Sequence, residues 1–128
     1  MQDDKQLKIL IVDDDQFLLD MYALKFKEKG FDVEAAFGSV SALSKLKDGK
    51  QFDIIITDIV MPSMDGFELL ENIKKDKLAE GSKVIVLSNL GQPSDIEKGK
   101  NLGADGYIVK ANATPSEMVE KVLEIYNG

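Results

Sequence analysis

The chain has 128 residues, 44% of them apolar, and a formal net charge of -7, which is material for one core of ordinary domain size and a surface that disfavours nucleic acid and anionic lipid. Cysteine and histidine are both absent. Their absence excludes disulfides, thiolate nucleophiles, histidine acid–base catalysis, Ser-His-Asp triads and the usual zinc sites, and it means the chain cannot itself carry phosphohistidine.

Residues 1–6 are expected to form a loose tail, with Asp3 and Asp4 as solvated charges. Leu7-Lys8-Ile9-Leu10-Ile11-Val12 is too short for a core helix and predicts the first strand. Residues 15–29 predict a helix with Phe17, Met21 and Leu24 on one face, Asp15 as its cap and Gly30 as its stop. Residues 32–36 are a weaker strand. Val40, Leu43 and Leu46 recur at threes and predict a helix before Asp48-Gly49. Residues 52–57 predict the third strand. Asp65 and Glu68 can form a capping box for a helix whose stripe is Phe67, Leu69, Leu70 and Ile73. Residues 83–87 predict the fourth strand. The pattern from Ile96 to Leu102 is poor and broken by Gly99; it is assigned as a helix from its position, with Ser94-Asp95-Ile96-Glu97 as a weak capping box. Residues 106–109 predict the fifth strand. Thr114-Pro115-Ser116-Glu117 then opens a helix striped by Met118, Val119, Val122, Leu123 and Tyr126.

Strict alternation of strand and helix predicts an α/β fold, with a parallel sheet covered by helices on both faces. No linker or repeat divides the chain, so residues 1–128 are expected to be one domain. No apolar run reaches membrane-spanning length and no leader pattern opens the chain, so a soluble, cytoplasmic protein is expected.

Ligands of open parallel sheets bind beyond the carboxyl ends of the strands. There the sequence places Asp13-Asp14-Asp15, Asp58, Ser88-Asn89 and Lys110. A single Asp after a strand is ordinarily a turn or cap residue, and Asp15 is read that way. The set is different. Carboxylates held 4 Å apart repel by on the order of 4 kcal/mol and need a proton, a lysine or a metal to neutralise them. An all-oxygen site suits a hard cation, Mg²⁺ first and Mn²⁺ second. An aspartate there can act as a nucleophile and form an acyl phosphate, with Lys110 neutralising and Ser88 hydrogen-bonding the transferring oxygens. Competing chemistries lack their residues. No phosphate-binding glycine loop occurs, Asp13 to Asp15 would repel a flavin phosphate, and Asp58-Ile59-Val60 lacks the second acid of a D-x-D phosphatase. Asn112-Ala113-Thr114 matches a glycosylation triplet, which is read as chance.

Four stretches together resemble the receiver domain of two-component response regulators. They are Ile9 to Asp14, Asp53 to Asp58 with Met61-Pro62-Ser63-Met64-Asp65-Gly66, Val86-Leu87-Ser88, and Gly103 to Lys110. The resemblance covers about residues 7–127. It implies a doubly wound, five-stranded parallel sheet in the order 2-1-3-4-5, an order the chemotaxis regulator exemplifies. It also implies roles. Asp58 is the phospho-acceptor. Asp14, Asp58 and the Val60 carbonyl hold Mg²⁺, and Asp13 acts through a metal-bound water. Ser88 and Tyr107 are the switch pair, and Lys110 contacts the phosphoryl group. Asn89 stands where a small residue is usual. It narrows access to Asp58 but keeps its backbone N–H for the phosphoryl group. Val60 and Leu90 flank the acceptor and are apolar, which implies a comparatively long-lived phosphoaspartate. Ala111 replaces the usual proline after the lysine. A cis bond before a non-proline residue costs about 2.5–4 kcal/mol, so a trans Lys110–Ala111 bond is expected.

Two function classes follow. The preferred one is a signalling switch, not an enzyme in the usual sense, phosphorylated in trans by a sensor histidine kinase or His-phosphotransfer protein. Its output would be protein contact through the face made by the fourth helix, fifth strand and fifth helix, as a monomer or a phosphorylation-dependent dimer. The alternative is a docking module with the same fold. The complete set Asp13, Asp14, Asp58, Ser88 and Lys110 favours the first.

Overall fold

The structure is a computed structural model that describes residues 6–89 and 91–128. Met1 to Lys5 of the expected tail, and Leu90, lie outside the described residues. Five strands, β1 (Lys8–Asp13), β2 (Asp32–Phe37), β3 (Ile54–Asp58), β4 (Lys83–Ser88) and β5 (Gly106–Val109), form one sheet in the order β2-β1-β3-β4-β5. Every strand pair is parallel. This is the expected architecture.

The strand sequences explain the layering. β1, β3 and β4 are buried almost end to end, while β2 and β5 at the edges are only partly so. Side chains alternate across the sheet. Ile9, Ile11, Ile54, Ile56, Ile85 and Leu87 face α1 (Gln16–Glu28) and α5 (Pro115–Asn127). Leu10, Val12, Ile55, Val84 and Val86 face α2 (Ser39–Lys47) and α3 (Gly66–Lys75). Each such side chain contributes about 1.5–3 kcal/mol by leaving water.

Two helix faces differ from expectation. α1 buries Leu19, Tyr22 and Phe26, whereas Phe17 and Leu24 are 75% and 60% exposed. Both sets repeat with helical spacing, so periodicity alone could not choose between them. The set with two aromatics is the one buried, and Phe26 meets Phe31 edge-on at 5.0 Å. α2 buries Ser39, Ala42 and Leu46 and turns Val40 outward. Its first turn is pinned by Ser39, whose Oγ donates to the Met64 carbonyl at 2.5 Å.

The helix starts were mostly legible. Asp15 caps α1 by accepting from Leu18 N–H. Both α3 and α5 carry the complete capping box. α4 (Pro93–Asn101) is the exception. It begins before Ser94, with Gln92 as N-cap and no side-chain cap bond, so the Ser94–Glu97 box does not form. Pro93 sets that start, because its ring favours the first helical turn. A 3₁₀ turn over Lys110–Asn112, which the sequence did not announce, joins β5 to α5. The cap of α5 is open to a direct check. Thr114→Ala removes the acceptor of the Glu117 N–H and should cost about 1 kcal/mol. Thermal unfolding of the variant should show a Tm lower by a few degrees; an unchanged Tm would contradict the cap's contribution.

Candidate functional site

The parallel arrangement brings the carboxyl ends of the strands to one edge. Asp13 is the last residue of β1, Asp58 of β3 and Ser88 of β4, and Lys110 follows β5. Carboxylate oxygens of Asp13, Asp14 and Asp58 lie within 4.8 Å of one another. Asp13 is fully buried and Asp58 is 7% exposed, while Asp14 is half-buried.

Lys110 answers the charge problem that this crowding creates. Its Nζ lies 3.0 Å from Asp13 Oδ2 and 3.3 Å from Asp58 Oδ1. The Asp15 N–H donates to Asp13 Oδ1 at 3.0 Å, and the Ile59 N–H to Asp58 Oδ1 at 2.9 Å. Asp58 Oδ1 is therefore held, while among the described residues its Oδ2 has no protein donor. Burial raises the Asp58 carboxyl above the ordinary aspartate value, with Asp13 adding to the rise and Lys110 opposing it. Burial pulls the Lys110 ammonium down, but its bonds to Asp13 and its attraction to Asp58 overcome this and hold it above the ordinary lysine value. The Lys110–Ala111 bond is trans, as the cost of a cis bond predicts, and the lysine still reaches both acids.

Ser88 is buried, and its Oγ accepts from the Gly91 N–H at 3.4 Å. Tyr107 lies beside it. The Tyr107 hydroxyl is sealed from solvent and makes no hydrogen bond of ordinary geometry among the described residues. Burial raises its pKa, and the nearby Ser88 hydroxyl offsets part of that rise. Asn89 and Val60 are exposed at the rim, and Leu90 lies outside the described residues. Asp15 stays on the surface as a cap.

Above Asp58 lies a cleft of about 260 Å³. Val60, Ser88 and Asn89 line one part of it, and Gln92, Ser94 and Asp95 from the head of α4 line another. Sequence reading missed this second wall, because it placed the helix start too late. The other conspicuous acids are structural. Asp53 accepts from the Lys8 N–H and Asp105 from the Val84 N–H, where β1 and β4 begin.

The donor set of Asp13, Asp14 and Asp58 is all oxygen, anionic and partly open, which fits a hard divalent cation. The family model of the response regulator receiver domain matches residues 9–123. The chain belongs to that family.

This receiver domain is 36% identical, over 83% of its length, to the gliding motility regulatory protein of Myxococcus xanthus, and it covers 14% of that relative. It is 37% identical, over 91% of its length, to the probable transcriptional regulator ycf29 of Porphyra purpurea, and covers 55% of it. The chain thus spans about half or less of the curated relatives it matches. Among solved structures it resembles the chemotaxis response regulator CheY4 of Vibrio cholerae, with a TM-score of 0.86 and 28% identity over 94% of this chain and 99% of that one. The CheY-like receiver domain protein of Methanospirillum hungatei gives a TM-score of 0.85 and 32% identity over 96% and 95% of the two chains. Among the described residues no helix is long and apolar enough to cross a membrane.

Proposed function

We propose that the receiver domain accepts a phosphoryl group on Asp58 from the phosphohistidine of a histidine kinase or phosphotransfer protein, and relays the event by changing its protein contacts. The observation that carries this reading is the half-held Asp58 carboxylate. Its Oδ1 is fixed by Ile59 and Lys110, and its Oδ2 is left to react.

The chemistry is a balanced displacement. Asp58 Oδ2 donates an electron pair to phosphorus as the phosphorus–nitrogen bond of the donor breaks. The donor ring, protonated on its other nitrogen before transfer, leaves with that pair as neutral imidazole. Lys110, already 3.3 Å from Asp58, moves its ammonium to the new phosphoryl oxygens. Ser88 and Asn89 line the cleft, and the Asn89 N–H and the Ser88 hydroxyl would donate to those oxygens. Asp14, Asp58 and the Val60 carbonyl would hold Mg²⁺, with Asp13 acting through a water, and the ion would neutralise charge on the transferring oxygens.

Ser88 leaves Gly91 to meet the phosphoryl group, and the Tyr107 ring fills the space it vacates. The face of α4, β5 and α5 changes with them. This shifts an existing equilibrium rather than making a new fold.

Acetyl phosphate with Mg²⁺ tests the reading. Intact mass should show a gain of one phosphoryl group that chelation of the metal prevents; no gain would overturn it. The metal assignment has its own check. Asp14→Ala should weaken Mg²⁺ binding at least about tenfold, and binding to the wild type should weaken as pH falls, because protons compete for the carboxylates. A titration curve unmoved by Asp14→Ala would remove Asp14 from the site.

A further inference from the structure

Four acids face the acceptor cleft or its floor, and only three of them are accounted for. Asp13 and Asp58 share Lys110, and Asp14 joins them in the candidate metal set. The fourth, Asp95, stands in the first turn of α4, half-buried, on the wall of the same cleft that Asp58 and Ser88 line. Among the described residues no lysine pairs with it. Its charge also reaches across to Tyr107, where it disfavours ionisation of the hydroxyl.

The attachment of α4 is uneven. Gly99 is the one residue of α4 that is buried, and the space beside its Cα is bounded by Tyr107 and Phe67. Lys98 places its ammonium 4.8 Å over the Phe67 ring. The C-terminal half of the helix is therefore held. The first turn has no side-chain cap, and it follows Gly91, whose left-handed φ of +63° lets the chain pass tightly over Val109. Asp95 rides on this less restrained turn, its N–H bonded to the Gln92 carbonyl at 3.0 Å.

A phosphorylated side chain carries about -1.5 to -2 charges at neutral pH. On Asp58 it replaces the single charge of the carboxylate, so about one half to one further negative charge enters the cleft that Asp95 walls. Lys110 is engaged with Asp13 and Asp58 and is not among the residues that line this cleft, and none of those residues is cationic, so the lining offers Asp95 no positive side chain to offset the added charge.

We propose that Asp95 is the charge sensor of the switch: a phosphoryl group on Asp58 repels it across the cleft and swings the first turn of α4 outward about Gly91. The inference rests on Asp58 being the phospho-acceptor, and it deepens that reading by naming how α4 learns of the event. It gives the helix a direct electrostatic trigger beside the Ser88–Tyr107 path. A purely structural role for Asp95, favouring the positive end of the helix dipole, would stabilise α4 equally in both states.

The test compares wild type, Asp95→Asn and Asp95→Glu, each with acetyl phosphate and Mg²⁺, reading phosphoryl occupancy by intact mass and α4 by amide chemical shifts over residues 92–101. At equal occupancy Asp95→Asn should reduce the phosphorylation-linked population shift of α4 about fivefold, and Asp95→Glu should restore it. Raising ionic strength from about 0.02 M to 0.3 M should shrink the wild-type displacement toward that of Asp95→Asn while leaving the variant unmoved. An undiminished α4 displacement in a fully labelled Asp95→Asn would overturn the sensor and leave the acceptor intact. A salt-independent difference between the two proteins would reduce Asp95 to a helix-stabilising residue and overturn it likewise. Failure of the wild type to gain a phosphoryl group would overturn both.

Discussion

Asp58→Asn should abolish labelling by acetyl phosphate altogether while the protein stays folded. The amide keeps the carboxylate's shape and can still meet Lys110 and the Ile59 N–H, but it offers no anionic oxygen to phosphorus. Undiminished labelling of this variant would sink the assignment of Asp58. The substitution also has a thermodynamic signature. The fold raises the Asp58 pKa, chiefly by burial. For a group raised in this way, the stability it contributes is present below its unfolded value, about 3.9, and is lost as pH rises through the higher folded value. At neutral pH the ionised carboxylate is therefore a standing penalty. Asn removes the penalty, so without metal the variant should melt higher than wild type at neutral pH. That advantage should fade as the solution is acidified through the folded pKa of Asp58. A pH-independent difference in Tm would contradict the buried-charge account.

The second large effect is expected at a residue with no functional group. Gly66 opens α3, and its N–H donates to the Ile59 carbonyl at 2.7 Å. A Cβ added there would overlap the backbone carbonyl oxygen of Asp58. Backbone cannot rotate away as a side-chain tip can. Gly66→Ala should therefore cost about 3 kcal/mol or more, a fall in Tm on the order of 10 °C. The damage should also reach function, because the atom that must yield belongs to Asp58, the proposed acceptor. Acetyl phosphate labelling should slow even at temperatures where the variant is folded. A variant with wild-type Tm and labelling would show that the loop from Asp58 to Gly66 is looser than the close approach indicates.

The parts of this molecule that were legible in the sequence depend on short-range rules. Ile9 to Val12 and Ile54 to Ile56 could only be doubly covered strands, and Asp65 with Glu68 could hardly be other than a helix start. In a parallel sheet the residues after the strands must converge, so Asp13, Asp58, Ser88 and Lys110 could be gathered without coordinates. What failed depended on choices among equals. α1 carries two apolar stripes, and only the packing of Tyr22 and Phe26 selects one. The head of α4 has no capping side chain, so Ser94 drew the boundary too far along and hid the cleft wall made by Gln92, Ser94 and Asp95. The turn over Lys110–Asn112 is built from residues with weak preferences, and neighbouring elements decide its path.

The bond from Lys110 to Asp13 joins residues 97 positions apart. β1 and β5 are not neighbours in the sheet; β3 and β4 lie between them. The folded sheet brings the acids of β1 and β3 together, and Lys110 reaches them only when the segment after β5 has docked at the far edge. Contacts of such separation form late, because a long loop must close first. A chain that ends before β5 therefore has Asp13 and Asp58 but not the lysine that neutralises them. Closure of the far edge of the sheet and charge balance at the site are therefore one and the same folding event.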